Sequence, residues 1–144
     1  MILDIRKVTP DDLPDLIAIE KQSFFRPHWD TESFLRYNCI VAEIRDRIAG
    51  FLVSRETFGG GYDALPEREI LNLAVAKPYR RIGIASLLLK RAMRRRAVYF
   101  LEVRESNIAA RALYRKIGFV QVGTRARYYE FPSERAIVMQ MKKC

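Results

Sequence analysis

The sequence predicts an α/β fold, a mixed sheet with helices on both faces, and three features carry that reading. CIVAEIRDRIAGFLVSRE is two β-rich runs around a tight turn, which makes an antiparallel hairpin. EILNLAVA is an unbroken apolar run of strand length, suited to the centre of a sheet. Two further strand-like runs are each joined to the next by an amphipathic helical stretch, the signature of layered α/β packing. With 144 residues and 49% hydrophobic content the chain can build one core, so a single domain over 1–144 is expected.

Taken in order, Ile2 to Lys7 alternates as an opening strand. Thr9-Pro10-Asp11-Asp12 then starts a helix: a capping hydroxyl, proline at the first helical position, an acid three residues after the cap. Leu13, Leu16, Ile17 and Glu20 continue it at helical spacing. RPHWDTESFLRY is a loop entering a short helix capped by Asp30 or Thr31, with Trp29 plugging the join. The hairpin turns at Arg45-Asp46-Arg47, and the glycines and proline of TFGGGYDALP make a loop. No Gly-Lys-Ser/Thr follows the triple glycine, so it is not a phosphate loop of the P-loop kind.

After the central strand, Gly83 to about Arg95 repeats apolar residues at Ile84, Leu87, Leu88 and Ala92, a helix packed on the sheet. Val98 to Val103 is the next strand and Asn107 to Lys116 the next helix, stopped by Gly118. Val120 to Tyr129 and Arg135 to Met141 complete the sheet.

Lys+Arg 26 against Asp+Glu 17 leaves a net charge of +9, which favours polyanionic partners: nucleic acid, a ribosome surface, an anionic membrane or a phosphorylated small molecule. Cys39 and Cys144 form neither a disulfide framework nor a Cys-x-x-Cys metal pattern, so a reducing cytosol is the expected setting. No run approaches the roughly 18 apolar residues of a membrane span, and acidic residues follow the start at once; the expectation is a soluble, unprocessed, cytoplasmic chain with no membrane partner. His28 stands alone, with no second His or paired Cys to make a metal site and no Ser/His/Asp set to join, so no metal is expected.

The stretch KPYRRIGIASLLLKRAMRRR raises a different possibility. Gly83 lets the backbone turn tightly, and the first N–H groups of the following helix have no intrahelical partner. With the positive end of the helix dipole they form a seat for phosphate, and Arg80 and Arg81 add charge at its rim. A basic surface turn that merely starts an amphipathic helix satisfies the same spacing. Further on, Asn107 and Tyr114 are two turns apart on one helix face, while Leu113 and Ile117 mark another stripe. Glu102 alternates onto the face of Phe100, either in an ion pair with Arg104 or another arginine, or held for chemistry. Arg94 to Arg96 read as the solvated end of a helix, and docking of RNA there is a secondary idea.

NLAVAKPYRRIGIASLLL, followed by EVRESNIAARALYRKIGF, resembles the acetyl-CoA-binding core of the GNAT N-acetyltransferase superfamily, whose Arg/Gln-x-x-Gly-x-Gly/Ala hallmark is met by Arg80, Gly83 and Ala85. Through LEVRESNIAARALYRKIGF, IEKQSFFRPHW and RARYYEF it is most similar to the RimI branch, the ribosomal-protein N-terminal alanine acetyltransferases. The resemblance implies a mostly antiparallel mixed sheet and acetyl-CoA as cosubstrate. It implies that Arg81, Ile82, Gly83, Ile84, Ala85 and Ser86 hold the pyrophosphate, that the backbone of Leu73, Ala74 and Val75 pairs with the pantetheine arm, and that Asn107 contacts the coenzyme. It makes Glu102 the general base, with Glu69 as rival, and Tyr114 the acid that protonates the departing thiolate. The implied acceptor is a protein N-terminal α-amine, on a ribosomal protein by analogy with that branch, with the loops near Phe25, Trp29, Tyr62 and Tyr128 choosing it. The join AMRRRAVYFLEV is shorter than that branch's pattern and lacks its glycine turn. Two other readings remain open: a GNAT enzyme acting on lysine side chains or a small amine, and a non-catalytic basic module that binds RNA, nucleic acid not being the primary partner on the first reading.

Overall fold

The computed structural model describes residues 3–23, 29–57, 65–129 and 133–144, the side chains of 127–129 excepted. The strands are β1 (Leu3–Lys7), β2 (Asn38–Ile44), β3 (Arg47–Thr57), β4 (Glu67–Val75), β5 (Ala97–Arg104), β6 (Val120–Tyr129) and β7 (Glu134–Lys143). The helices are α1 (Leu13–Ser23), α2 (Thr31–Arg36), α3 (Ile84–Ala92) and α4 (Ile108–Ile117). These strands form one seven-stranded sheet in the order β1-β2-β3-β4-β5-β7-β6. β4 and β5 pair in parallel, whereas β1–β2, β2–β3, β5–β7 and β6–β7 pair antiparallel, so the sheet is mixed and mostly antiparallel. His28, Phe25, Tyr62 and the triple glycine lie outside the described residues.

The chain divides into two compact units, Met1–Arg55 with Leu71–Arg94, and Glu56–Ile70 with Arg95–Cys144. In the first, a 3-10 turn over Pro10–Asp12 leads into α1. Asp12 Oδ2 accepts from the Thr9 N–H at 2.8 Å, and both oxygens of Asp12 accept from the Arg6 guanidinium at 2.8 Å. Arg6 also donates to Glu43 Oε2 at 2.7 Å, so one guanidinium joins β1, β2 and the start of α1. Asp30 caps α2, its Oδ1 accepting from Ser33 N at 2.9 Å. The hairpin of β2 and β3 turns through Arg45 (φ 49) and Asp46 (φ 64), the left-handed geometry of a two-residue hairpin turn made without glycine. Leu16, Phe34, Val41, Phe51 and Val53 form the fully buried heart of this unit. Trp29 packs its ring 5.3 Å from Phe34 and 6.0 Å from Tyr37.

In the second unit β5 alternates strictly: Ala97, Tyr99, Leu101 and Val103 are buried, while Val98, Phe100, Glu102 and Arg104 line the half-covered face. Tyr99 satisfies its buried hydroxyl by donating to Arg95 O at 2.7 Å. Gly118 (φ 127) ends α4, its N–H donating to Tyr114 O at 3.1 Å, a left-handed cap that a residue with a side chain rarely adopts.

Two expectations are corrected. α3 stops at Ala92 rather than near Arg95, because Met93 leaves helical geometry (φ -104, ψ 28) and is itself buried, placing Arg94–Arg96 beyond the helix. Leu87 is 42% exposed and does not belong to the buried stripe, which runs through Ile84, Leu88 and Leu89. At about 100° per residue, Leu87 falls on the far side of that arc.

The Asp12 carboxyl is held well below the usual carboxylate range, at about 2 against 3.8, chiefly by its hydrogen bonds from Arg6, with burial opposing. A depressed folded pKa stabilises the fold above the unfolded value and is lost as pH falls through the folded one. That interval corresponds to about 2 kcal/mol. Denaturant titrations should therefore show stability falling between about pH 4 and pH 2, and Asp12→Asn should flatten this decline.

Candidate functional site

Leu73–Val75 and Arg80–Ser86 belong to the first unit, and Glu69, Glu102, Asn107 and Tyr114 to the second. β4 enters the first unit with Asn72 and Ala74 buried and with Leu71, Leu73 and Val75 half-covered. Its parallel register with β5 covers Glu67↔Val98 to Ile70↔Leu101, and both strands run on past that register. A 3-10 turn over Lys77–Tyr79 follows, and Arg80 Nε donates back to Val75 O at 2.8 Å while its Nη2 reaches Ser23 Oγ at 3.2 Å. Arg80 is thus a strut between the end of β4 and the end of α1 as well as a charge at the rim.

The next residues take conformations that side chains resist. Arg81 stands at φ 63 and Gly83 at φ 88. A Cβ added to Gly83 would meet nothing within 4 Å, so its glycine is required by the dihedral and not by crowding, and the space beside it is open. Gly83 starts α3 with no side-chain cap, and the first intrahelical bond runs from Leu87 N to Gly83 O at 3.1 Å. The amides of Ile84, Ala85 and Ser86 therefore have no intrahelical partner, at the positive end of the helix dipole. α3 is pinned by buried Ile84, Leu88 and Leu89 and by Arg91 Nη1 donating to Ile5 O at 3.1 Å.

Two supports of this turn escaped the sequence reading. Gly50 in β3 lies where a Cβ would sit 2.8 Å from Ala74 O, 3.3 Å from Val75 Cγ2 and 3.4 Å from Leu88 Cδ1, so only glycine lets these pieces meet. Its signal was a glycine inside an apolar strand run. Glu20, 1% exposed, accepts from Asn72 Nδ2 at 2.9 Å and from the Trp29 N–H at 2.9 Å, tying α1 to β4 and to the entry of α2. An acid at the core-facing spacing of α1 was the available clue.

In the second unit Glu102 Oε1 accepts from Arg125 Nη1 at 2.8 Å. Of the two ion-pair partners open from sequence, it is another arginine and not Arg104, which pairs with Glu134 at 3.0 Å. Glu69 is in register with Phe100, and Phe100 and Glu102 share a face, so both candidate carboxylates lie on the half-covered face. Strand geometry sets them about 8 Å apart at the backbone.

Asn107 is the N-cap of α4 and not its first helical residue: its Oδ1 accepts from Ala110 N at 3.2 Å. Tyr114 is half-buried, edge-on to Phe119 at 5.9 Å, and Phe119 N donates to Tyr114 O at 2.9 Å. Burial pushes its phenol up to about 12, so it keeps its proton throughout the neutral range. Between β5 and α4, Glu134 takes Ser106 Oγ (2.9 Å) and Arg104 Nη1 (3.0 Å) on one oxygen and Ser106 N (3.0 Å) on the other, while Arg111 Nη1 donates to Glu105 O at 2.7 Å. Cys39 is buried and its thiol is pushed up to about 12 by that burial, which leaves no thiolate nucleophile there. Among the described residues no three His, Cys, Asp or Glu gather as a metal site would need, and no helix is long and apolar enough to cross a membrane.

Comparison with known proteins bears on the family and the fold. Residues 5–119 match the Acetyltransferase (GNAT) family. The [ribosomal protein bS18]-alanine N-acetyltransferase of Salmonella typhimurium is 31% identical, over 90% of this chain and 90% of its own. An N-alpha-acetyltransferase of Sulfurisphaera tokodaii is 35% identical, over 87% of this chain and 84% of its own. The crystal structure of the ribosomal-protein-S18-alanine N-acetyltransferase from Escherichia coli superposes with a TM-score of 0.82 at 29% identity, over 98% of this chain and 94% of that one. Both the sequence motifs and the fold therefore lead to one assignment: the chain belongs to the GNAT family of acetyltransferases.

Proposed function

We propose that residues 1–144 act as one domain that transfers acetyl from acetyl-CoA to the N-terminal α-amine of a protein in the cytoplasm, a ribosomal protein being the first candidate acceptor. The observation that carries the coenzyme half is the uncapped start of α3 behind the left-handed Arg81 and Gly83, with open space over the glycine. Such a turn fits a diphosphate, whose oxygens would take the amides from Arg81 to Ser86. Main-chain groups of Leu73 to Val75, beyond the β4–β5 register, would hydrogen-bond the pantetheine arm, and Asn107 would contact the coenzyme. The acceptor half is supported by the N-terminal acetyltransferases among the relatives.

Bound acetyl-CoA supplies an activated thioester. The chain's own task is then proton traffic. Glu102, through water, takes the proton of the α-amine as nitrogen bonds to the carbonyl carbon. Tyr114 gives its proton to sulfur as the carbon–sulfur bond breaks, and solvent returns a proton from Glu102 to the phenolate. An α-amine with pKa about 8 is roughly 10% neutral at pH 7, whereas a lysine near 10.4 is neutral in about one molecule in 2,500. The difference, about 3 kcal/mol, is what a carboxylate working through water is spared.

Incubation with acetyl-CoA and a panel of peptides, amines and RNA, followed by mass spectrometry of the acetylated position, tests the acceptor. Acetyl on α-amines is expected; acetyl on lysines or small amines alone would replace this reading, and RNA binding without coenzyme binding would end it. Tyr114→Phe should lower turnover at least tenfold with coenzyme affinity held, and Glu102→Gln should lower it about a hundredfold or more. A larger loss in Glu69→Gln would transfer the role of base. Gly83→Ala, forced into a left-handed conformation costing about 1–2 kcal/mol, should weaken acetyl-CoA binding in calorimetry about tenfold.

A further inference from the structure

β5 carries positive charge at both ends and treats it differently. Where it ends, Arg104 is ion-paired to Glu134, and Arg125 and Arg135 on the neighbouring strands hold Glu102 and Glu105. Where it begins, the bend before the strand exposes Arg95 and Arg96, and register brings up the end of β7, with Lys143 opposite Ala97 and exposed Lys142 opposite Val98. Among the described residues no carboxylate pairs with Arg95, Arg96 or Lys142. Glu67 shares a row with Lys142 but stands across Val98 from it. Arg68 deepens the positive field: it is in register with Tyr99, and its Nε is buried with no partner among the described residues. The arginines are also presented rigidly. Ala97 is fully buried behind them, and the buried Tyr99 donates its hydroxyl to Arg95 O at 2.7 Å.

We infer that Arg95, Arg96 and Lys142 form a docking surface for the phosphate backbone of RNA, separate from the place where acetyl is transferred. Glu102 lies further along β5 than Ala97 by about 17 Å, so a strand held at the bend leaves the proposed base clear. Guanidinium forks match phosphate oxygens in pairs, and a lysine adds a point charge beside them. None of the exposed large apolar side chains of the described residues falls in 94–98 or 140–143. Bases therefore find no stacking platform and acyl chains no inserting side chain, which favours contact with a nucleic-acid backbone, without sequence preference, over a membrane. On the proposed function, whose first candidate acceptor is a ribosomal protein, the backbone at hand is RNA; that choice rests on that reading and the surface itself does not. Docking there raises the local concentration of the acceptor without touching the chemistry.

The test uses the full chain and a fluorescein-labelled oligouridine, read by anisotropy with and without saturating acetyl-CoA. Binding is expected in both conditions and should weaken steeply as salt is raised. The triple variant Arg95→Gln, Arg96→Gln, Lys142→Gln should weaken it at least about tenfold and lower the salt slope by about 2. A charge-matched control, Lys21→Gln, Arg45→Gln, Arg47→Gln, removes three exposed cations from the other unit and should weaken it no more than about twofold. Both variants should acetylate a short peptide at the unaltered rate. Equal losses in the two variants would mean attraction by net charge alone and overturn the inference. Displacement of the RNA by acetyl-CoA would place it in the α3 turn, with the same result. Tighter binding to duplex DNA of equal length, or to vesicles of phosphatidylserine and phosphatidylcholine in equal parts, also overturns it. No RNA binding in a protein that still acetylates the peptide ends this inference and leaves the proposed function standing; RNA binding lost only in the first variant, with no peptide acetylated, does the reverse.

Discussion

A helix that begins without a capping side chain leaves its first amides for something else to satisfy, and α3 begins that way. The arrangement is expensive. Arg81 holds a left-handed backbone that a residue with a side chain avoids, and such strain persists only where the surroundings over-determine it. Here they do so from three sides. Ile84, Leu88 and Leu89 bury one face of the helix, Arg91 fastens its far end to Ile5, and Arg80 spans Val75 and Ser23 ahead of the turn. Gly50 completes the set by lacking the Cβ that would strike Ala74 O at 2.8 Å. Helix, turn and strand are therefore fixed as a group, and a diphosphate would meet amides already aimed, with little ordering left to be done on binding.

The second unit solves a comparable problem by other means. On the proposed function, a base on β5 and an acid on α4 keep a constant relation only if the few residues between them are held. Glu134 holds Ser106 by backbone and side chain and Arg104 by its guanidinium, while Arg111 and the Arg135 carbonyl take the two ends of Glu105. Glu134 is kept below the usual carboxylate range by those hydrogen bonds, which outweigh its burial. Tyr114 is located twice, by its ring against Phe119 and by its carbonyl in the cap closed by Gly118. A carboxylate and a phenol on separate elements can act on one bond only with such positional control.

Much of this was legible in local chemistry. Thr9-Pro10-Asp11-Asp12, Asp30 and Gly118 announce helix ends because caps are decided by neighbours a few residues away. Period-two burial in β5 is likewise a local property, and it placed Glu102 correctly beside Phe100. What escaped depends on distant partners. The 52-residue separation of Glu20 and Asn72 leaves no pattern in either segment, only a carboxylate at a core-facing position. Arg125 as partner of Glu102 comes from the register of β6 on β7 and of β7 on β5, which periodicity does not supply. The early end of α3 turned on Met93 entering the core, where helical spacing alone would have carried the helix three residues further into the arginine run. Leu87 was misplaced because spacing permits several apolar arcs and tertiary packing picks one.

Charge completes the argument. A balance of +9 draws any polyanion, so it distinguishes neither coenzyme from RNA nor one acceptor from another. Discrimination requires that charge be fixed against shape. At the start of α3 cationic character comes from oriented amides in a turn a few ångströms across, which on the proposed function would meet two adjacent phosphates. Around Glu102 it comes from arginines whose carboxylate partners are the less exposed members of each pair, so the negative charge is held inward and the positive charge faces the solvent side. On the proposed function the inward carboxylate of Glu102 is the one that serves the amine. The same composition that leaves the chain unspecific at long range is thereby made specific at contact.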